Sequence, residues 1–165
     1  MSNQIAITEV AEGFRFALTE TFEAVRGMYL DKGTSLFETL AGISAEQASM
    51  PVSDSCATIA AQVAHVGFYL DVMHESLVTR TYVQGSDWEH IWKTISTVDE
   101  VQWQTIVSDL RQSYDQTVAD LNQHATWTDE HELSCMLASI VHTAYHLGEI
   151  RQALCFIRYQ QAPQG

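Results

Sequence analysis

His142 and His146 stand four residues apart in the run SIVHTAYHLGEIRQAL near the C-terminus. On a helix that spacing is about one turn, so both imidazoles leave the same face roughly 6 Å apart. Imidazole is the commonest side-chain ligand for zinc, nickel and similar ions, and two rings at this separation can close on one ion. A third ligand must come from elsewhere. On a wheel of about 100° per residue, His146 lies about 40° to one side of His142 and Glu149 about 20° to the other. Cys135, Ala138, Ala153 and Phe156 share that direction. Such a stripe of small, apolar and ligating groups is what an inward-facing site in a helical protein requires.

His65, in the middle of AAQVAHVGFYLDVM, is the best third imidazole. Its face carries Thr58, Ala61, Phe68, Tyr69, Val72 and Ser76. It is turned about 120–140° from the aliphatic stripe of its helix, where it can line a cavity beside the core. The remaining histidines fit less well. His74 points about 180° away from His65, and His131 lies about 16 Å down the helix from His142. His90 and His124 fall in or near linkers.

Glu149 is a candidate general base, or an acceptor for a ligand N–H; the plainer alternative is a helical glutamate reaching solvent or an arginine. Tyr145, beside the histidine pair, is a candidate donor to bound substrate, with simple packing the commoner role for such a residue. Cys135 sits about 10 Å along the helix from His142 and reads as a buried, inert thiol. Arg151 points about 180° away from His142, toward the surface or a subunit interface. Trp88, Trp92 and Trp103 read as core or pocket lining.

Four long helices and two short ones must position these groups. The first long helix is expected over 8–30, with Phe14, Leu18, Phe22, Val25 and Tyr29 at three- and four-residue steps. A short helix over 35–40 and a loop at Pro51 precede the second, expected over 54–80 with the stripe Ile59, Val63, Val66, Leu70, Met73 and Leu77. A linker containing Gly85 leads to the short segment DWEHIW. Thr97 and Glu100 have capping-box spacing before a third long helix reaching Asn122. The fourth is expected over 129–159. Its short connection to the third predicts that the two are antiparallel neighbours. A second apolar strip on the fourth, Leu133, Met136, Ile140, Leu147 and Leu154, favours burial against a partner subunit. The expected architecture is all-α, a four-helix bundle with long connections and short extra helices, in one domain over 1–165.

Composition narrows the function. The formal charge of −13 repels phosphate backbones and anionic membranes, and no basic stripe offsets it, so neither nucleic acid nor a membrane is an expected partner. No apolar run approaches the roughly 18 residues of a membrane span, and MSNQIAITEVAEGF lacks the features of a secretory signal. Three widely spaced cysteines without a CxxC pair suit free thiols in a reducing cytoplasm.

The pairing of AQVAHVGFYL with HTAYHLGEIRQAL resembles the DinB-like superfamily of four-helix-bundle metalloproteins, and the lead-in SLFETLAGISAEQASMPVSDSCATIAAQVAH is similar to that family's short helix, proline loop and ligand-bearing helix. The resemblance covers essentially the whole chain. It implies one divalent ion held by His65, His142 and His146, with water in the open positions, and it implies a homodimer. Three neutral histidines plus water is the ligand set of a catalytic rather than a closed structural site. Such an ion lowers the pKa of bound water toward 7 or activates a thiolate. Some members transfer low-molecular-weight thiols such as bacillithiol, or isomerise substrates with thiol help, and many others are described as metal-dependent hydrolases. The expected ligand is therefore a small molecule and the expected metal zinc or nickel, with a non-catalytic metal- or ligand-binding protein as the competing class.

Overall fold

Seven helices make up the computed structural model, which describes residues 6–83, 87–123 and 129–162. They are α1 (Ile7–Phe22), α2 (Leu36–Leu40), α3 (Ala45–Ser49), α4 (Ile59–Thr79), α5 (Trp88–Thr94), α6 (Glu100–Gln123) and α7 (Glu130–Gln161). No strand occurs among the described residues, so the protein is all-helical. No helix among them is long and apolar enough to cross a membrane. The short α3 was not expected, and His124 and Gly85 lie outside the described residues.

Local side-chain chemistry fixes where the helices start. Thr58 accepts from the Ala61 N–H at the head of α4, so that helix begins at Ile59, later than the expected Asp54. Asp129 accepts from the Glu132 N–H at the head of α7. At α6 the reciprocal box lies two residues beyond the expected pair: Gln102 N–H donates to Asp99 Oδ1 (2.8 Å), and Asp99 N–H donates to Gln102 Oε1 (2.9 Å). Aspartate at the cap with glutamine three residues on satisfies the same two orphan donors as the expected Thr97–Glu100 pairing.

Packing places α4 at the centre of the site's architecture. It lies against both α6 and α7, and α1 also touches both. Against expectation, α6 and α7 are not close neighbours among the described residues: each packs on α4 and on α1 instead. Close approach to α6 is helped by Gly67, where a Cβ would already touch the Leu110 backbone at 3.6 Å. The core is filled by Phe22, Leu36, Ile59, Leu70, Leu110 and Trp103, whose indole N–H donates to the Ile43 carbonyl at 3.0 Å. Met136, Ile140, Leu147 and Leu154 belong to this same core. Four of the five residues of the second strip of α7 are therefore buried within the chain and give no argument for a dimer. The fifth, Leu133, instead joins Leu137, Val141 and Tyr145 in an exposed row.

The register of α4 against α7 is held at one end by Arg80, which stops α4 in a left-handed conformation (φ 54°). Its guanidinium reaches Asp129 Oδ2 at 2.8 Å and the buried Glu132 Oε1 at 2.6 Å. The end of α4 thus meets the start of α7, and the two run antiparallel.

The first helix stops at Phe22 rather than at the expected Leu30. Gly27 (φ 87°) takes a conformation that a helix excludes. The buried Glu20 supplies the alternative: its carboxylate accepts from the backbone N–H groups of Arg26 (3.3 Å), Met28 (2.9 Å), Tyr29 (2.7 Å) and Leu30 (2.8 Å). A side chain has replaced the helix's own carbonyls as acceptor. Burial opposes ionisation of Glu20, but the four donors outweigh it and hold the carboxyl at about 2. The folded pKa lies below the ordinary 4.5, so this stabilisation is complete above 4.5 and is lost as pH falls toward about 2. Glu20→Gln should lower the melting temperature at neutral pH, and the gap from wild type should close as pH falls through that window. Thermal melts by circular dichroism test this; a gap independent of pH would contradict the carboxylate's role.

Candidate metal centre

The antiparallel register brings His65 level with the histidine pair. His65 lies about 22 Å along α4 from Arg80, and His142 and His146 lie about 20–26 Å along α7 from Asp129. One ring nitrogen from each of His65, His142 and His146 falls within 4.8 Å of the others. His142 Nε2 and His65 Nε2 are 3.1 Å apart, close to the roughly 3.4 Å between two nitrogens sharing a tetrahedral ion at about 2.1 Å. The ring centroids are 4.6–5.0 Å apart. Residues 77 and more positions apart in sequence converge as the spacing argument required.

Aromatic residues wall the cluster. Tyr69 stacks on His142 with centroids 3.6 Å apart and planes at 12°. From α5, Trp92 tilts over His65 at 4.5 Å and Trp88 meets it edge-on at 5.4 Å. These contacts leave His65 and His146 buried and His142 half-buried. Burial and the neighbouring imidazoles push His65 down to about 4 and His142 down to about 3. Burial also lowers His146, against the pull of Glu149. With a pKa of about 4, His65 carries a proton only about once in a thousand molecules at pH 7. The rings are therefore neutral, the form in which an imidazole ligates a metal.

Glu149 departs from the expected inward position. It sits half-exposed at the rim, with Oε2 3.0 Å from His146 Nδ1, within reach of a ligand ring's N–H as the acceptor role required. Tyr145 meets His146 edge-on, with ring centroids 5.0 Å apart. It is exposed, and its hydroxyl donates to Glu149 Oε1 at 2.6 Å. The pair forms a small polar edge to a cavity of about 770 Å³. His146 and Trp92 meet this cavity on one side and the apolar Val52, Ala153 and Phe156 on others; Gln62 and Cys56 also face it.

The other histidines are elsewhere. His74 Nδ1 pairs with the buried Asp120 at 2.9 Å, on the far side of α4. His131 Nε2 contacts the Ser76 carbonyl at 3.0 Å, and the buried Cys135 lies 3.7 Å from the same nitrogen. Burial pushes the Cys135 thiol up, which suits the inert role. His90 is exposed on α5, and Arg151 is exposed on α7. Of the tryptophans, Trp103 is core, Trp92 lines the cavity and Trp88 packs on the site.

Sequence reasoning did not single out Gln62, one turn before His65. Its spacing of three residues from a ligand was the signal available. Nor could it assign the tryptophans to His65, because α5 reaches the site only through its docking on α4.

No protein-family model matches the chain, and no curated protein or solved structure does so either.

The depressed histidine pKa values make the metal-free protein acid-sensitive. Between the ordinary 6.5 and about 4, the unfolded chain binds protons at His65 that the folded chain refuses, so stability rises with pH across that interval. Glu20 titrates below this range and does not contribute at its upper end. Chelated wild type should lose stability in denaturant titrations as pH falls from about 6.5 to about 5, and His142→Gln should lose less. A flat profile over that span would contradict burial of neutral imidazoles.

Proposed function

We propose that the chain is a DinB-like four-helix-bundle enzyme in which His65, His142 and His146 hold one divalent metal ion. Zinc and nickel both suit three imidazoles. The reaction we assign is hydrolysis, or transfer of a low-molecular-weight thiol, on a small-molecule substrate. One observation carries this reading: three imidazole nitrogens lie within 4.8 Å of one another, and one of the three rings, His146, lines an open cavity of about 770 Å³. A closed structural site takes four protein ligands, whereas three beside a cavity leave a position for substrate. An ion bound there supplies Lewis acidity to a water or thiol arriving from the cavity.

The chain's own residues then have distinct tasks. Val52, Trp92 and Phe156 bind the carbon portion of a substrate and thin the water around it. Glu149 acts at the rim as proton acceptor and, through His146, orients a ligand ring. Tyr145 holds Glu149 in place through its 2.6 Å hydrogen bond. The −13 charge continues to argue against nucleic acid, and the free cysteines suit a reducing cytoplasm. The homodimer that belongs to this reading would use the exposed α7 row of Leu133, Leu137 and Val141. Sedimentation should then show a dimer that Leu137→Arg dissociates; a monomeric wild type removes the dimer from the proposal.

Elemental analysis of protein purified without a His-tag tests the centre. One ion per chain is expected. His65→Ala, His142→Ala and His146→Ala should each weaken binding by more than the roughly 10–100-fold that loss of an outer partner costs. A catalyst should keep its fold when His146→Ala removes the metal yet lose turnover, whereas a structural ion should leave a protein with a sharply lower melting temperature after chelation. Wild type that takes up neither zinc nor nickel, or holds the ion without these histidines, overturns the reading.

A further inference from the structure

Three buried polar atoms in the site have no hydrogen-bond partner: His146 Nδ1, which faces Glu149, and two that lie one turn apart on α4, Gln62 Oε1 and His65 Nδ1. Side chains three residues apart on a helix are neighbours on its surface. The two atoms are chemically complementary. A glutamine Oε1 only accepts, and an imidazole nitrogen donates when its partner nitrogen carries the lone pair. His65 turns Nε2 toward His142, at 3.1 Å. Ligation through that nitrogen leaves the proton on Nδ1, which then needs an acceptor inside the protein. Among the described residues no carbonyl or carboxylate meets Nδ1. Glu149 cannot serve, because it faces His146. Trp88 and Trp92, the other neighbours of the ring, offer an edge and a face, and an indole N–H is a donor only.

We infer that Gln62 is the positioning residue of this centre: its Oε1, unpaired in this structure, turns to accept a hydrogen bond from His65 Nδ1–H and so fixes the tautomer and ring orientation in which Nε2 ligates the ion. The inference rests on the metal-centre reading above and adds a residue to it. Outer acceptors of this kind set ring orientation and raise ligand basicity. Gln62 is 8% exposed and also lines the cavity that holds His146 and Glu149, so substrate entering there meets the same side chain.

Gln62→Leu removes the acceptor while keeping a helix-forming side chain of similar size, and Gln62→Glu keeps the acceptor. Zinc affinity, measured by competition with a chromophoric chelator, should fall about 10–100-fold in Gln62→Leu and be largely recovered in Gln62→Glu. Nitrogen-15 spectra of the histidine rings provide the second readout. In wild type, His65 should hold its proton on Nδ1, whether zinc-loaded or chelated, and in chelated Gln62→Leu the two tautomers should mix. Circular dichroism of the chelated variants confirms that the fold is retained. Wild-type affinity in Gln62→Leu, no recovery in Gln62→Glu, or an unchanged His65 tautomer overturns the inference. If wild type binds no zinc, the metal-centre reading fails by itself, and the tautomer comparison in metal-free protein still decides whether Gln62 orients His65.

Discussion

Keeping three imidazoles neutral and facing one another inside the protein is the constraint on which the rest of this structure depends. Each would be partly protonated in water, and three neighbouring positive charges would repel. Burial removes the charge, driving His65 to about 4 and His142 to about 3. The cost is a region without apolar cohesion in the middle of two helices. Aromatic contacts compensate: Tyr69 against His142 and Trp92 against His65 supply dispersion without competing for the ring nitrogens.

That arrangement requires α4 and α7 to be level to within a fraction of a turn. A slip of one turn along either axis moves a histidine by about 5.4 Å, more than the whole spread of the ligating nitrogens. Arg80 sets the level from one end, where its guanidinium joins the last residue beyond α4 to Asp129 and Glu132 at the head of α7. Gly67 and the aliphatic stripe of α4 set it laterally against α6. The fork is far from the histidines, yet it belongs to their geometry. Arginine suits the position because its planar donors satisfy two carboxylates at once.

Polar groups buried elsewhere show how the chain ends helices without exposing backbone. Glu20 gathers the N–H groups of residues 26 and 28–30 and allows α1 to stop early, so that the following segment turns toward α2. Periodicity alone continues that helix to Leu30, since Val25 and Tyr29 keep the apolar spacing. Nothing in periodicity registers a carboxylate eight residues upstream acting as a backbone acceptor. The same limitation misplaced the start of α4 by a few residues, and it obscured the exchange between Asp99 and Gln102.

By itself the sequence determined the helical class, the four long elements, and the three histidines, because a 3.6-residue period and an i, i+4 pair are local properties written along one axis. The −13 charge was equally plain. Tertiary structure decided which helices are neighbours. A short connection suggested that α6 and α7 pack together, but each packs on α4 and α1 instead, because side-chain burial rather than chain proximity selects helix neighbours. It also decided that Glu149 belongs to the rim, that the strip containing Met136, Ile140, Leu147 and Leu154 is internal, and that Gln62 accompanies His65 in the interior. A helical wheel gives direction around one axis, whereas depth and partnership depend on the distance to a second helix.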